Sequence, residues 1–406
     1  MFYRRGLFIV RILHTADWHL GKNLEGRSRL PEQEEFIDEL CEIVEQEKID
    51  VILMAGDVFD SVNPPAAAEQ LFYESVTRLT NHGQRKMMVI AGNHDHPGRL
   101  VAASTLASLQ GITLVGYPSK QAYRFLIPGC DQYLNLAPLA YPSESRLLEL
   151  LEDELEEEAL QLKYDQKIAH LFQEMTSSFS PQEINIAMSH LFIAGGDPSD
   201  SERPIQVGGA YTVYPSSLPH NVQYVALGHL HRPQTIHKAP TLARYSGSPL
   251  AYSFSEAGYS KSVTILDLQP GQQASMNEIF LRSGKPLVKW RALEGMTEIY
   301  RWIEEGRDPQ AWIDVEVHVP HSLSLEEIHR LRKIHPGILN IKPVFPAMEM
   351  EIGQAVDRQL PVDQLFRQFY VKQSGGAEPE DELVRLFLEF LQEEEDQVLE
   401  KGDATI

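Results

Sequence analysis

Val51-Ile-Leu-Met-Ala-Gly-Asp57-Val-Phe-Asp60 and Met87-Met-Val-Ile-Ala-Gly-Asn93-His94-Asp95 share one pattern. An apolar run of strand length ends in glycine, and residues that ligate metals follow at once. Such short β-branched runs read as buried strands. Three more runs lead to residues of the same kind, the last of them through glycine. Phe8–Leu13 leads to Asp17-Trp-His19, Ile184–Met188 leads to His190, and Val222–Leu227 leads to Gly228-His229-Leu-His231. Helical spacing separates the strands: Phe36, Ile37, Leu40, Ile43 and Val44, then Leu71, Phe72, Val76 and Leu79. This alternation predicts an α/β layered core.

In an open α/β sheet, ligands gather at the carboxyl ends of the strands. Five strand ends would therefore bring Asp17, His19, Asp57, Asp60, Asn93, His94, Asp95, His190, His229 and His231 to one rim. In an extended segment, positions i and i+2 point to the same side. On that basis Asp17 pairs with His19, and His229 with His231. Carboxylate, imidazole and carboxamide donors suit Mn²⁺ or Mg²⁺ and disfavour thiophilic ions. The donors suffice for two ions. Two dications against Asp17 and Asp57 would leave a positive site able to take a phosphodiester. Each motif alone is weak. The five in order, each after a strand, are specific.

The chain has 406 residues, more than one ordinary domain needs, and 43% of them are hydrophobic. Wholesale disorder is excluded. No run approaches the length of a membrane helix. Met1–Val10 mimics an export signal, but Arg11 interrupts it and no cleavage site follows, so it reads as the lead-in to the first strand. Cys41 and Cys130 are too few for a disulfide framework, which suggests a reducing cytoplasm.

A net charge of −22 argues against nucleic-acid binding. Its distribution weakens that objection. Residues 144–166 carry nine acidic and two basic side chains, and residues 378–403 carry eleven and two. These two stretches hold most of the excess. Leu147–Thr176 reads as an acidic, solvent-exposed helix or helix pair.

Domain boundaries follow from the pattern. Residues 1–275 form the main domain. Residues 283–346 read as a small β-α-β-α-β cap, with a capping box at Ser324 and Glu327. A linker at 347–360 precedes a C-terminal pair of amphipathic helices within 361–406, at Pro361–Val371 and Glu380–Glu395.

Taken together, D-x-H, GD-x-x-D, GNHD, a separate His and GH-x-H resemble the calcineurin-like metallophosphoesterase superfamily. The likeness covers about 270 residues. It implies a layered β-sandwich flanked by helices. Within that superfamily the chain is similar to nuclease subunits of bacterial DNA-repair complexes. Ser199-Asp-Ser-Glu-Arg203 with Val207-Gly-Gly209, the stretch Tyr245–Glu256, the cap and the terminal helix pair carry this closer likeness.

The resemblance implies one ion on Asp17, His19, Asp57 and His231, and a second on Asp57, Asn93, His190 and His229. His94 would protonate the leaving oxygen, Asp95 would orient its ring, and Asp60 would orient substrate or hold its turn. The activity implied is two-metal cleavage of DNA, exonucleolytic at duplex ends and endonucleolytic at hairpins or single strands. The partners implied are DNA, a second copy joined through helices within Pro65–Thr80 and Pro97–Leu109, and a coiled-coil ABC-type ATPase held by 361–406. No P-loop occurs, so ATP would bind the partner. Two other readings stay open: a phosphoprotein phosphatase or cyclic-nucleotide phosphodiesterase on the same fold, and a non-catalytic scaffold.

Overall fold

The computed structural model describes residues 9–128, 130, 132–152, 164–202, 211–345, 361–373 and 378–388. The chain divides into two units, Met1–Leu287 and Val288–Ile406.

The first unit holds two six-stranded sheets. One contains β1 (Val10–Thr15), β4 (Val51–Ala55), β5 (Lys86–Ile90) and β6 (Ile112–Val115), all parallel, with β13 (Ser262–Leu268) antiparallel beside β1 and β14 (Ser275–Phe280) antiparallel beside β13 at the edge. The small hairpin β2 (Asn23–Leu24) and β3 (Arg27–Ser28) lies between β1 and β4 in sequence. The strands of the second sheet are β7 (Tyr123–Ile127), β8 (Gln132–Leu139), β9 (Ile184–His190), β10 (Tyr224–Gly228), β11 (Gln234–Thr235) and β12 (Ala243–Tyr245). Their order across the sheet is β11-β12-β10-β9-β8-β7.

The strands of the second sheet divide their side chains between two cores, as a period of two requires. Leu134, Leu136, Ile184, Ile186, Met188, Tyr224 and Ala226 join the residues of the first sheet in one buried cluster. Ala137, Leu139, Ala187, Val225 and Leu227 face the other way, into a second cluster. The helices Leu30–Gln46 and Ala66–Leu79 pack into the first cluster, and Tyr164–Thr176 into the second. The result is a β-sandwich flanked by helices. Burial on both faces explains why these strands read as continuous apolar runs.

Two expectations need correction. Tyr164–Thr176 is not a solvated helix, because Ile168, Leu171, Phe172 and Met175 are buried under the second sheet. Residue 275 does not end the first unit, since β14 pairs along β13 through Phe280. The rest of the acidic segment, residues 153–163, lies outside the described residues.

In the second unit β15 (Leu287–Ala292), β16 (Trp312–His318) and β17 (Ile338–Val344) form a three-stranded sheet around Trp290, Ile313, Val315 and Val317. Helices Met296–Glu304 and Leu325–Ile334 connect the strands, and Ser324 with Glu327 makes the capping box. A further helix, Val362–Gln373, is followed by helical residues 381–388. The linker and residues 389–406 lie outside the described residues.

Candidate metal centre

The ends of β1, β4, β5, β9 and β10 converge on one buried point. Hydrogen bonds lace the loops that follow β1 and β4: Asp17 N–H to the Gly56 carbonyl at 3.0 Å and His19 N–H to the Asp57 carbonyl at 3.0 Å. Asp17, His19, Asp57 and His229 all sit at positive φ, between 47° and 110°. Non-glycine residues rarely adopt this region, and strain of this kind concentrates at functional sites. The pairing of Asp17 with His19, and of His229 with His231, therefore arises from kinked loops and not from an extended i, i+2 alternation. Close approach also demands glycine. A Cβ on Gly92 would stand 2.1 Å from Asp57 Oδ1, and one on Gly228 would stand 1.8 Å from the Ala55 carbonyl oxygen.

Asp57 lies at the centre. Its Oδ1 accepts the His94 N–H at 2.9 Å. Its Oδ2 lies 3.4 Å from His190 Nε2, 3.6 Å from His19 Nε2 and 3.9 Å from His94 Nε2. His190 Nδ1 must donate to the Ala55 carbonyl at 2.9 Å, because a carbonyl only accepts. In a neutral ring, Nε2 then carries a lone pair, yet it faces Asn93 Oδ1 at 2.9 Å as well as Asp57. His19 Nε2 and His231 Nε2 likewise oppose each other at 3.0 Å. A His190 lone pair aimed at acceptor oxygens calls for a cation between them, and the facing His19 and His231 nitrogens are two more donors that a cation could share. Three sets of ligand atoms lie within 4.8 Å of one another: Asp17, His19 and His231; Asp17, Asp57 and His190; His19, Asp57 and His94. The donor set fits divalent metal.

The electrostatics agree. Burial pushes the Asp17 carboxyl up to about 7. Burial would also raise Asp57, but the charges of His190, His94 and His19 outweigh it and hold that carboxyl well below the usual range. For His190, burial would lower the ring, but Asp57 and Asp17 overcome it and raise it to about 9. A proton there does what a metal cation would do. His229 is lowered by burial; its N–H donates to both Asp17 oxygens, at 3.0 and 3.1 Å, and its ring centroid lies 5.4 Å from that of His190.

Residues 10–233 match the family described as calcineurin-like phosphoesterase. The chain belongs to that family. This phosphoesterase is 57% identical over 389 residues to the SbcD subunit of the nuclease SbcCD from Bacillus subtilis (strain 168), with 95% of this chain and 100% of the relative covered. It is 37% identical over 275 residues to the protein of that name from Rhodobacter capsulatus, covering 64% and 67%. For the one from Staphylococcus epidermidis the identity is 32% over 343 residues, covering 82% and 86%. The phosphoesterase is a hydrolase, with a centre suited to divalent metal. Among the described residues no helix is long and apolar enough to cross a membrane.

His94 is buried beside the cluster, and its Nδ1 donates to the Asp60 carbonyl at 2.7 Å. Asp95 does not orient it. The Asp95 carboxylate instead accepts three backbone N–H groups, from Gly92 at 2.8 Å, Phe59 at 2.9 Å and Val58 at 3.1 Å. It binds the loop after β4 to the loop after β5. Asp60 takes the orienting role: besides holding His94 it lies 3.5 Å from His19 Nδ1 and pairs with Lys22 Nζ at 2.7 Å. His96 caps the helix Pro97–Val101 by accepting the Arg99 N–H.

Sequence reasoning missed a layer behind His231. Ser201, Glu202, Glu256 and Lys261 all touch that residue. Three of them lie in 199–203 and 245–256, stretches that carry the closer family likeness. Lys261 carried no signal at all. Burial would raise the Glu256 carboxyl, but Lys261 and His231 hold it below the usual range.

Proposed function

We propose that this phosphoesterase is a metal-dependent DNA nuclease, the catalytic subunit of an SbcCD-type DNA-repair complex. The carrying observation is the convergence of six donor side chains, Asp17, His19, Asp57, Asn93, His190 and His231, in one buried centre. The names of its relatives support the substrate.

Two ions are assigned: one on Asp17, His19, Asp57 and His231, the other on Asp57, Asn93, His190 and His229, with Mn²⁺ preferred and Mg²⁺ the alternative. When bound, such ions polarise the phosphodiester and lower the pKa of a water nucleophile. The protein's own contribution is positioning and one proton. With Nδ1–H fixed on the Asp60 carbonyl, the charged form of His94 presents Nε2–H toward the centre and can protonate the leaving oxygen. Asp60 and Lys22 fix the loop that carries this carbonyl. Burial keeps the charges unscreened.

The substrates assigned are duplex ends, hairpins and single strands of DNA, in the cytoplasm. A second copy would join through the helices within 65–80 and 97–109, where Tyr73, Leu106 and Leu109 are exposed. Residues 361–406 would dock on an SbcC-type ABC ATPase, which supplies ATP binding. Phe366 stacks on Phe387 at 4.0 Å and Arg367 pairs with Asp381, joining two helices that still expose Val362, Phe369, Leu383 and Leu386. Exposed apolar stripes of this kind suit a partner groove.

Co-purification tests the assembly. The full chain is expected to retain an SbcC-type ATPase, and a chain ending at 360 is expected to lose it while keeping basal Mn²⁺-dependent cleavage. Retention by the shortened chain would refute the docking role. A panel of phosphomonoester, cyclic-nucleotide and DNA substrates tests the chemistry, and a preference for either of the first two would refute the nuclease reading.

A further inference from the structure

His231 is gripped from three sides by groups outside the ligand set. Its N–H donates to Glu202 Oε1 at 2.8 Å, and its carbonyl accepts from Lys261 Nζ at 2.9 Å. Its Nδ1 lies 2.5 Å from Ser201 Oγ and 3.6 Å from Glu256 Oε1. On the far side of the ring, Nε2 faces His19 Nε2.

A neutral imidazole offers a lone pair at Nε2 only when its proton sits on Nδ1. The Ser201 hydroxyl alone does not decide this, since a hydroxyl donates or accepts. Its own contacts do. Ser201 Oγ lies 2.8 Å from Ser199 Oγ, and Ser199 Oγ donates to Glu202 Oε2 at 2.7 Å. A carboxylate only accepts. The contact between the two hydroxyls therefore has a proton only if Ser201 donates to Ser199. Ser201 is then left to accept from His231 Nδ1–H. Glu256 works in the same sense. It is a buried negative charge on the Nδ1 side, and its field favours a proton on Nδ1. Its Oε1 accepts the Tyr252 N–H at 3.0 Å. Lys261 keeps it charged by direct contact while also bonding Ser248 Oγ at 2.9 Å.

We propose that Glu202, through the Ser199 and Ser201 hydroxyls, and Glu256, held by Lys261, are positioning residues that keep the His231 proton on Nδ1 and so present Nε2 as a metal ligand. The inference rests on the metal-site reading above. Groups behind a ligating histidine commonly set its tautomer in this way, and their loss weakens metal binding by about 10–100-fold.

The test uses the full metal-free chain with ¹⁵N-labelled histidine, His231 being assigned from a His231→Asn control. Long-range ¹H–¹⁵N NMR distinguishes the two tautomers without any metal. The wild-type ring is expected as Nδ1–H. In Glu202→Gln, the amide can donate back to Ser199 and reverse the chain, so Nε2–H should gain population. Mn²⁺ affinity by calorimetry should fall about 10–100-fold. Replacing Glu256 alone would strand a buried lysine, so the double variant Glu256→Gln with Lys261→Met removes both charges and is expected to act in the same direction. An Nε2–H wild-type ring would overturn the proposal. So would variants that leave both tautomer and affinity unchanged. A wild-type chain with Nδ1–H that takes up no Mn²⁺ would overturn the metal-site reading, and with it the purpose given to that proton.

Discussion

His190 on β9 donates its Nδ1–H to the carbonyl of Ala55 on β4, and this 2.9 Å bond joins the two sheets at the centre. It orients Nε2 toward Asp57 and Asn93. Gly228 of β10 leaves the space in which the Ala55 carbonyl sits.

Gly228→Ala should therefore act on both stability and site. The new methyl would collide with that carbonyl and force it away from His190. Overpacking of this kind costs about 1–3 kcal/mol. Denaturant unfolding should show that loss, and Mn²⁺ titration should show weakened binding. Unchanged Mn²⁺ affinity in a folded variant would contradict the packing argument.

His94→Ala separates metal binding from chemistry. The assigned metal ligands do not include its ring, while the proposed proton donation needs it. Calorimetry should find Mn²⁺ binding retained, and cleavage should fall by about 10²–10⁴-fold. A variant that cleaves at the wild-type rate would remove His94 from the mechanism.

Asp95→Asn tests the reassigned role of that carboxylate. An amide turns one acceptor into a donor, so one of the three backbone N–H groups from Gly92, Phe59 and Val58 loses its partner. A buried group left unsatisfied costs about 1–3 kcal/mol. The midpoint of urea unfolding should drop accordingly. Equal stability would show that the carboxylate is not what holds the two loops together.

A pH dependence follows from His14. This ring lies between the sheets, 2.8 Å from the Tyr224 hydroxyl, and burial with the nearby Arg244 charge pushes it down to about 3. The unfolded chain takes up that proton below about 6.5, and the folded chain does not until about 3. Stability from this group is thus complete above 6.5 and lost as the pH falls toward 3. In chelator, the wild-type chain should lose up to about 1.4 kcal/mol per pH unit relative to His14→Gln between pH 6 and 4. Parallel stability curves would refute this.

Much of the site was legible because its five strands are buried on both faces and end in rare residue types. The second sheet was less so. Gln132–Leu139 contains Asn135 and Pro138, which spoil an apolar run. The structure accommodates both: Asn135 bonds Asn185, and β7 pairs only as far as Leu136, so Pro138 lies past the ladder on that side. The family resemblance implies that Asp95 orients His94 and that Asp60 orients substrate or holds its turn. The Asp95 carboxylate instead accepts three backbone N–H groups, and the Asp60 carbonyl accepts from His94. Asp57 sits at positive φ three residues before the carbonyl that accepts from His94, a turn that residue types alone do not announce. The grip on His231 comes from residues distant in sequence on both sides of it, and no local pattern announces such contacts.

The central claim is a metal-dependent DNA nuclease, and cleavage itself tests it most directly. The purified full chain is incubated with end-labelled linear duplex DNA and Mn²⁺, and in parallel with chelator. The account predicts shortening of the labelled strand with Mn²⁺, none with chelator, and none from Asp57→Asn. Intact DNA with Mn²⁺ bound, while a phosphomonoester or cyclic nucleotide is hydrolysed, would contradict it.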